Sequence, residues 1–234
     1  MTGPAGSLSA AVALVTGAGS GIGAATACRL AREGAAIALV AGRRDGLDRV
    51  VAEVAGAGGH AVAVPADITD PEQAEQAVMD TLERFGRLDV LVNNAEVMLL
   101  DTALHTMLEQ WDRTISLNVS ALLHVTHAAV PYLIDAATTA PRQVADIVNV
   151  GSTAGRVARA GSSVYNLSKF GLTGFTESLR QELLDERVRV SVVQPGAGGA
   201  LRPEDVADAI GYVVTRDRRV AVNEMVVRAG DQLR

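Results

Sequence analysis

The stretch VYNLSKFGLTGF (164–175) places Tyr165 and Lys169 four positions apart with helical spacing, so both side chains share one helix face. A free tyrosine releases its proton at about 10, too high for a general base near neutrality. A neighbouring ammonium favours the phenolate and brings that value down. Protonated, the same phenol can donate to an oxygen that becomes negative as hydride arrives at the adjacent carbon. Ser152 stands thirteen positions before the tyrosine and offers a fixed hydrogen bond to that developing charge. By itself a Tyr–Lys pair is most often a packed ring beside a solvated amine. The proton-transfer reading therefore depends on what else shares its cleft.

A second constellation lies near the N-terminus. In TGAGSGIG (16–23), Gly17, Gly21 and Gly23 let the backbone turn sharply, with Ser20 and Ile22 between them. The turn follows an apolar run and opens a helical pattern, whose unpaired N–H groups and partial positive charge suit a pyrophosphate. No lysine follows the glycines, which excludes the nucleoside-triphosphate loop. The second apolar run ends in AGRRDG, where a site selective for NAD usually carries an acidic residue. Arg43 and Arg44 come first here, and a guanidinium attracts the 2′-phosphate of NADP. NADP (NADPH) is thus read over NAD; which arginine makes the contact stays open. Asp67 and Ile68 end the third run, at the edge expected to face the adenine, although Asp67 could serve only as a helix cap.

These groups need a scaffold that brings them together. Short apolar runs at 11–16, 36–41, 60–66, 88–95, 145–152, 188–196 and 220–227 alternate with helical patterns, one of them running from about Thr106 to Leu133. Asp70, Pro71 and Gly86 punctuate the helix after the third run. Such alternation predicts an α/β, doubly wound (Rossmann-type) seven-stranded parallel sheet with helices on both faces, folded as a single domain over 1–234. Ligands then bind beyond the carboxyl ends of the strands, where the glycine turn, Asn94 and Ala95, Ser152, and Pro195 and Gly196 all fall. Asn118 sits inside the long helix, where asparagine is a poor helix former; an internal distortion that frees a carbonyl for water would explain it.

The motifs TGAGSGIG, NNA, the Ser–Tyr spacing, YNLSK and PG, in that order from Ala11 to Val227, resemble the short-chain dehydrogenases/reductases, in their single-domain, NADP-preferring branch. The resemblance implies an oxidoreductase interconverting a carbonyl and a secondary alcohol. In it Tyr165 handles the proton, Lys169 binds the nicotinamide ribose and lowers the phenol's pKa, and Ser152 holds the substrate oxygen. Asn118 holds a relay water, and Asn94 lines the cofactor cleft. It also implies a homodimer or homotetramer meeting through the long helix and the Tyr165 helix. The pattern breaks at Glu96, where relatives carry glycine: the carboxylate either turns to solvent or alters affinity and substrate choice. The stretch PGAGGALRPEDVADA also passes almost directly from Gly196 to the last helix, where relatives carry a long lid. These departures keep a rival reading alive, a non-catalytic NADP(H)-binding sensor or scaffold.

Composition bounds the partners. Apolar residues make up 48% and aromatics 3%, so the core must be built from Ala, Val, Leu and Ile. A net charge of −6 argues against a nucleic-acid partner; a small-molecule carbonyl or alcohol as substrate is what the resemblance implies. Cys28 is the single cysteine, so no intrachain disulfide is possible. His124 and His127 lack a third ligand at suitable spacing, so no metal is expected. With neither a signal-like N-terminus nor an evident bilayer-spanning run, the reading is a cytoplasmic protein with no membrane partner.

Overall fold

A computed structural model describes residues 7–196 and 200–231. The elements in chain order are β1 (Val12–Thr16), α1 (Gly21–Arg32), β2 (Ala36–Ala41), α2 (Arg44–Gly56), β3 (His60–Pro65), α3 (Pro71–Phe85) and β4 (Val90–Asn93). They continue with α4 (Leu108–Ile115), a π-helical turn (Ser116–Ser120), α5 (Ala121–Thr139), β5 (Ala145–Val150), a 3₁₀ turn (Thr153–Gly155), α6 (Ser163–Glu182), β6 (Val188–Pro195), α7 (Pro203–Val214) and β7 (Glu224–Val227). The strands form one seven-stranded sheet in the order β3-β2-β1-β4-β5-β6-β7, parallel at every pairing. The order reverses between β1 and β4, the switch point at which a doubly wound sheet opens a crevice.

Apolar residues run continuously along the strands because both faces of the sheet are covered. Along β1, Ala13 and Val15 face one core with Leu30, Leu39, Val50 and Ile210, while Leu14 faces the other with Val78, Leu91, Val125 and Leu133. Both cores are made almost entirely of Ala, Val, Leu and Ile, with Cys28 in the first, as the scarcity of aromatics requires. Asp70 caps α3 by accepting from the Glu72 N–H at 2.9 Å, and Gly86 ends that helix with a left-handed φ of 76°. The seventh strand is shorter than its apolar run: Val220 to Asn223 approach β6 without pairing as strand, leaving Glu224–Val227.

Two corrections concern the long helix. It extends through Thr139, beyond the Leu133 expected, and Pro131 sits within it. By length and composition alone, the continuous helix Leu108–Thr139 is also apolar enough to cross a membrane, against the expectation that no segment would be. The physical reason is its role against the sheet: Ala121, Val125, Ala129, Leu133 and Ala137 are buried in the core.

Buried polar groups fix the carboxyl ends of the central strands to the helices that carry the chemistry. The Asn93 amide donates to Thr126 Oγ1 on α5 and to Asn149 Oδ1, both at 2.9 Å, and the Asn149 amide donates to Thr176 Oγ1 on α6 at 2.9 Å. Such a chain specifies one lateral setting of α5 and α6, because any slip would leave its members without partners in a low-dielectric interior.

Candidate active site

The turn between β1 and α1 is held by close backbone approach. Gly17 (φ 65°) and Gly21 (φ 55°) adopt left-handed conformations. A Cβ on Gly23 would lie 2.3 Å from the Gly17 carbonyl oxygen and 2.6 Å from Asn94 Nδ2, so only glycine fits there. Across the turn, a Cβ on Gly46 would meet the Gly19 oxygen at 2.8 Å. Thr16, not anticipated from sequence, anchors the turn to the fourth strand: the Asn94 and Ala95 N–H groups both donate to its hydroxyl at 3.0 Å. Its place at the end of an apolar run, directly before the glycine turn, was the available signal.

A cavity of about 700 Å³ opens over this turn. Among the residues anticipated for a cofactor, Gly17, Ser20, Ile22, Arg43, Asp67, Ile68, Asn94 and Ala95 line it. Gly21 and Gly23 shape the turn behind it, while Pro195 and Gly196 are not among the lining residues; the Gly196 N–H donates instead to Val227 O at 2.7 Å. Of the two arginines, Arg43 lines the cavity, whereas Arg44 is not among its lining residues and pairs with Asp48 at 3.4 Å. Asp67 does not cap α3, a role taken by Asp70; its Oδ1 accepts from the Thr69 hydroxyl at 2.7 Å and from the Thr69 N–H. Arg113 and Leu117, on consecutive turns of the long helix, also line the cavity and were missed.

At the other end, α6 buries Tyr165 and Lys169 on one face, each about 5% exposed or less. The ammonium lies 5.7 Å from the centre of the tyrosine ring. Lys169 Nζ donates to the Val150 carbonyl oxygen at 3.0 Å. Ser152 is buried beside them at the start of the 3₁₀ turn, its Oγ accepting from the Ala154 N–H at 3.1 Å. Asn118 lies within the π turn, the internal distortion that its presence in a helix foreshadowed. Its side chain holds the segment after β4, accepting from the Val97 N–H at 2.8 Å and donating to Val97 O at 2.9 Å.

Glu96 turns inward. Its Oε2 lies 2.5 Å from Lys169 Nζ and accepts from the Tyr165 hydroxyl at 3.3 Å. In the chain alone the phenol is pushed above the ordinary tyrosine range, chiefly by burial and then by the Glu96 charge, while the Ser152 hydroxyl pulls it down. The lysine's favourable field is met by a carboxylate, so burial dominates. Residues 197–199, within the stretch after Gly196 where a lid would begin, lie outside the described residues. Among the described residues no group of three His, Cys, Asp or Glu could hold a metal.

A glycine-cradled cavity at the sheet's switch point is the arrangement of a dinucleotide-binding domain; Ser152, Tyr165 and Lys169 are not among its lining residues, and Glu96, which is, connects it to the phenol and the ammonium. The chain belongs to the short-chain dehydrogenase family, whose model matches residues 11–200, and is therefore an oxidoreductase of the class acting between CH–OH and C=O. It is 35% identical to a glycine betaine reductase of Emericella nidulans over 98% of its own length, spanning 19% of that much longer protein. It is 37% identical to a 3-oxoacyl-[acyl-carrier-protein] reductase of Synechocystis, covering 81% of this chain and 74% of the relative. A metagenomic short-chain oxidoreductase solved in complex with NADP superposes with a TM-score of 0.87 at 35% identity, covering 95% of this chain and 98% of that one.

Proposed function

We propose that the protein is an NADP(H)-dependent oxidoreductase interconverting a carbonyl and a secondary alcohol. The observation that carries this reading is the burial of Tyr165 and Lys169 on one face of α6, joined through Glu96 to the cavity that the glycine turn lines. The cavity suits the dinucleotide: its wall approaches too closely for any Cβ at Gly23, and Arg43 stands at the end of β2 without an ion pair among the described residues. Gly17, Ser20 and Ile22 would hold the pyrophosphate, Arg43 the 2′-phosphate, Asp67 and Ile68 the adenine side, and Asn94, Ala95 and Lys169 the nicotinamide end. When bound, the cofactor supplies or accepts hydride.

The chain's own residues manage the oxygen. Ser152 holds it, Tyr165 gives or takes its proton, and Lys169 keeps the phenol oriented and its anion tolerable. Asn118, within the π turn, positions the relay that returns protons to Lys169. The NADP complex of the solved relative, and the carbonyl substrate in the name of the Synechocystis relative, support the cofactor and the reaction class. Leu123 on α5 with Leu167 and Phe170 on α6 are exposed apolar side chains, which supports assembly as a homodimer or homotetramer through these helices.

Glu96 on Lys169 favours one rival, a dinucleotide-binding sensor that turns nothing over. The two separate by measuring NADPH consumption against a panel of ketones and aldehydes. An enzyme gives turnover with at least one carbonyl, and Tyr165→Phe lowers it by about a hundredfold or more while cofactor affinity persists. Tight cofactor binding with no turnover on any carbonyl identifies the sensor.

A further inference from the structure

Glu96 is fixed at both flanks. The Ala95 N–H donates to Thr16 Oγ1 at 3.0 Å, and Val97 is held at both its N–H and its carbonyl by Asn118. The backbone at residue 96 is thereby pinned, and the side chain is the part free to change conformation. That side chain is about one-third exposed, at 34%, and lines the cavity, while the side chain of Lys169 is only 4% exposed. An ammonium has three donors. One goes to Val150 O at 3.0 Å and another to Glu96 Oε2 at 2.5 Å, which also takes the Tyr165 proton donor.

The geometry points to Glu96 as an internal competitor for the Lys169 ammonium, so that seating the nicotinamide ribose on Lys169 requires the carboxylate to rotate out. This deepens the function proposed above and rests on it. A ribose hydroxyl is a weaker partner for an ammonium than a carboxylate is, because only the carboxylate adds the attraction of a full opposite charge. The exchange is therefore uphill at Lys169 itself. It must be driven by the distant contacts, the pyrophosphate on the glycine turn and the 2′-phosphate on Arg43. Because Ala95 and Val97 are pinned, the exchange is a change of side-chain rotamer and needs no loop opening. In the paired arrangement Tyr165 keeps its proton, since its hydroxyl donates to the same carboxylate. Glu96 thus lowers affinity for the whole dinucleotide without touching affinity for its adenosine half.

Titrations of NADPH and of adenosine 2′,5′-bisphosphate, which lacks the nicotinamide ribose, test this with wild type, Glu96→Gln and Glu96→Gly. In both variants the Kd for NADPH falls about tenfold and that for the bisphosphate stays unchanged. NADPH binding that is unaltered or weaker in both variants overturns the competition. Equal tightening of both ligands also overturns it, because that outcome reports only the loss of a negative charge from the cavity. If neither ligand binds any of the three proteins, the proposed function fails and the competition falls with it. If both bind with no dependence on residue 96, only the competition fails.

Discussion

Where β1 runs into α1 the cleft is walled by main chain, whereas the neighbouring region where β5 meets α6 is built of side chains held by other side chains. At the first end, the contacts that matter are Gly23 against Gly17 and Gly46 against Gly19, and the one guanidinium engaged with the turn, Arg49, donates to main chain, the Gly19 carbonyl, at 3.1 Å. At the second, Lys169, Tyr165 and Glu96 satisfy one another, and Asn93 and Asn149 tie the strands to α5 and α6. A wall of main chain presents fixed N–H dipoles to whatever anion arrives, with little to rearrange. A wall of charged side chains is already engaged, so a ligand must exchange partners there. The two ends should respond differently to substitution.

The sharpest way to break the contrast is Gly23→Ala. The added carbon would meet the Gly17 oxygen at 2.3 Å, and both partners are poorly able to yield. Urea unfolding should show a loss of about 1–3 kcal/mol, and NADPH titration a weakening of about a hundredfold or more. A variant that binds normally would mean that the turn is not packed as described. Arg43→Ala probes the rim of the same end. It should weaken NADPH by about tenfold and leave NADH nearly unchanged, whereas Arg44→Ala should alter neither; equal losses for both dinucleotides would remove Arg43 from phosphate recognition.

The smallest effect comes from the side-chain end and appears in alkali. Burial and Glu96 hold the Tyr165 proton on beyond the range in which an unfolded chain's tyrosine releases it, about 10. A folded-state value above the unfolded one means that the contribution is fully present below pH 10 and is lost as pH rises above it. Urea unfolding between pH 9 and pH 11 should therefore show wild type falling more steeply than Tyr165→Phe, by up to about 1 kcal/mol per pH unit. Parallel curves would place the phenol in contact with solvent.

Much of this was legible before any coordinates. Strand runs, caps and glycine turns are local patterns, and the helix-breaking preference of asparagine pointed to the distortion at Asn118. Which of Arg43 and Arg44 lines the cavity was not legible, because it depends on where α2 begins. Nor was the direction of Glu96, whose partner Tyr165 is 69 positions away in the chain. Arg113 and Leu117 escaped notice because a helix's phase relative to the cavity cannot be read from its apolar stripe when the helix contains an irregular turn. Nor was the phenol's setting in the chain alone legible, where burial and a carboxylate distant in sequence hold its proton on.

The π turn at Ser116–Ser120 has a geometric consequence of its own. It accommodates one residue more than a regular helical turn, and each residue advances an α-helix by roughly 100°. Everything on α4 is accordingly out of phase with α5 by about that angle. Removing a single residue from 116–120 would restore a continuous spiral and swing the Arg113 guanidinium off the cavity rim, so length in this turn is as constrained as residue type.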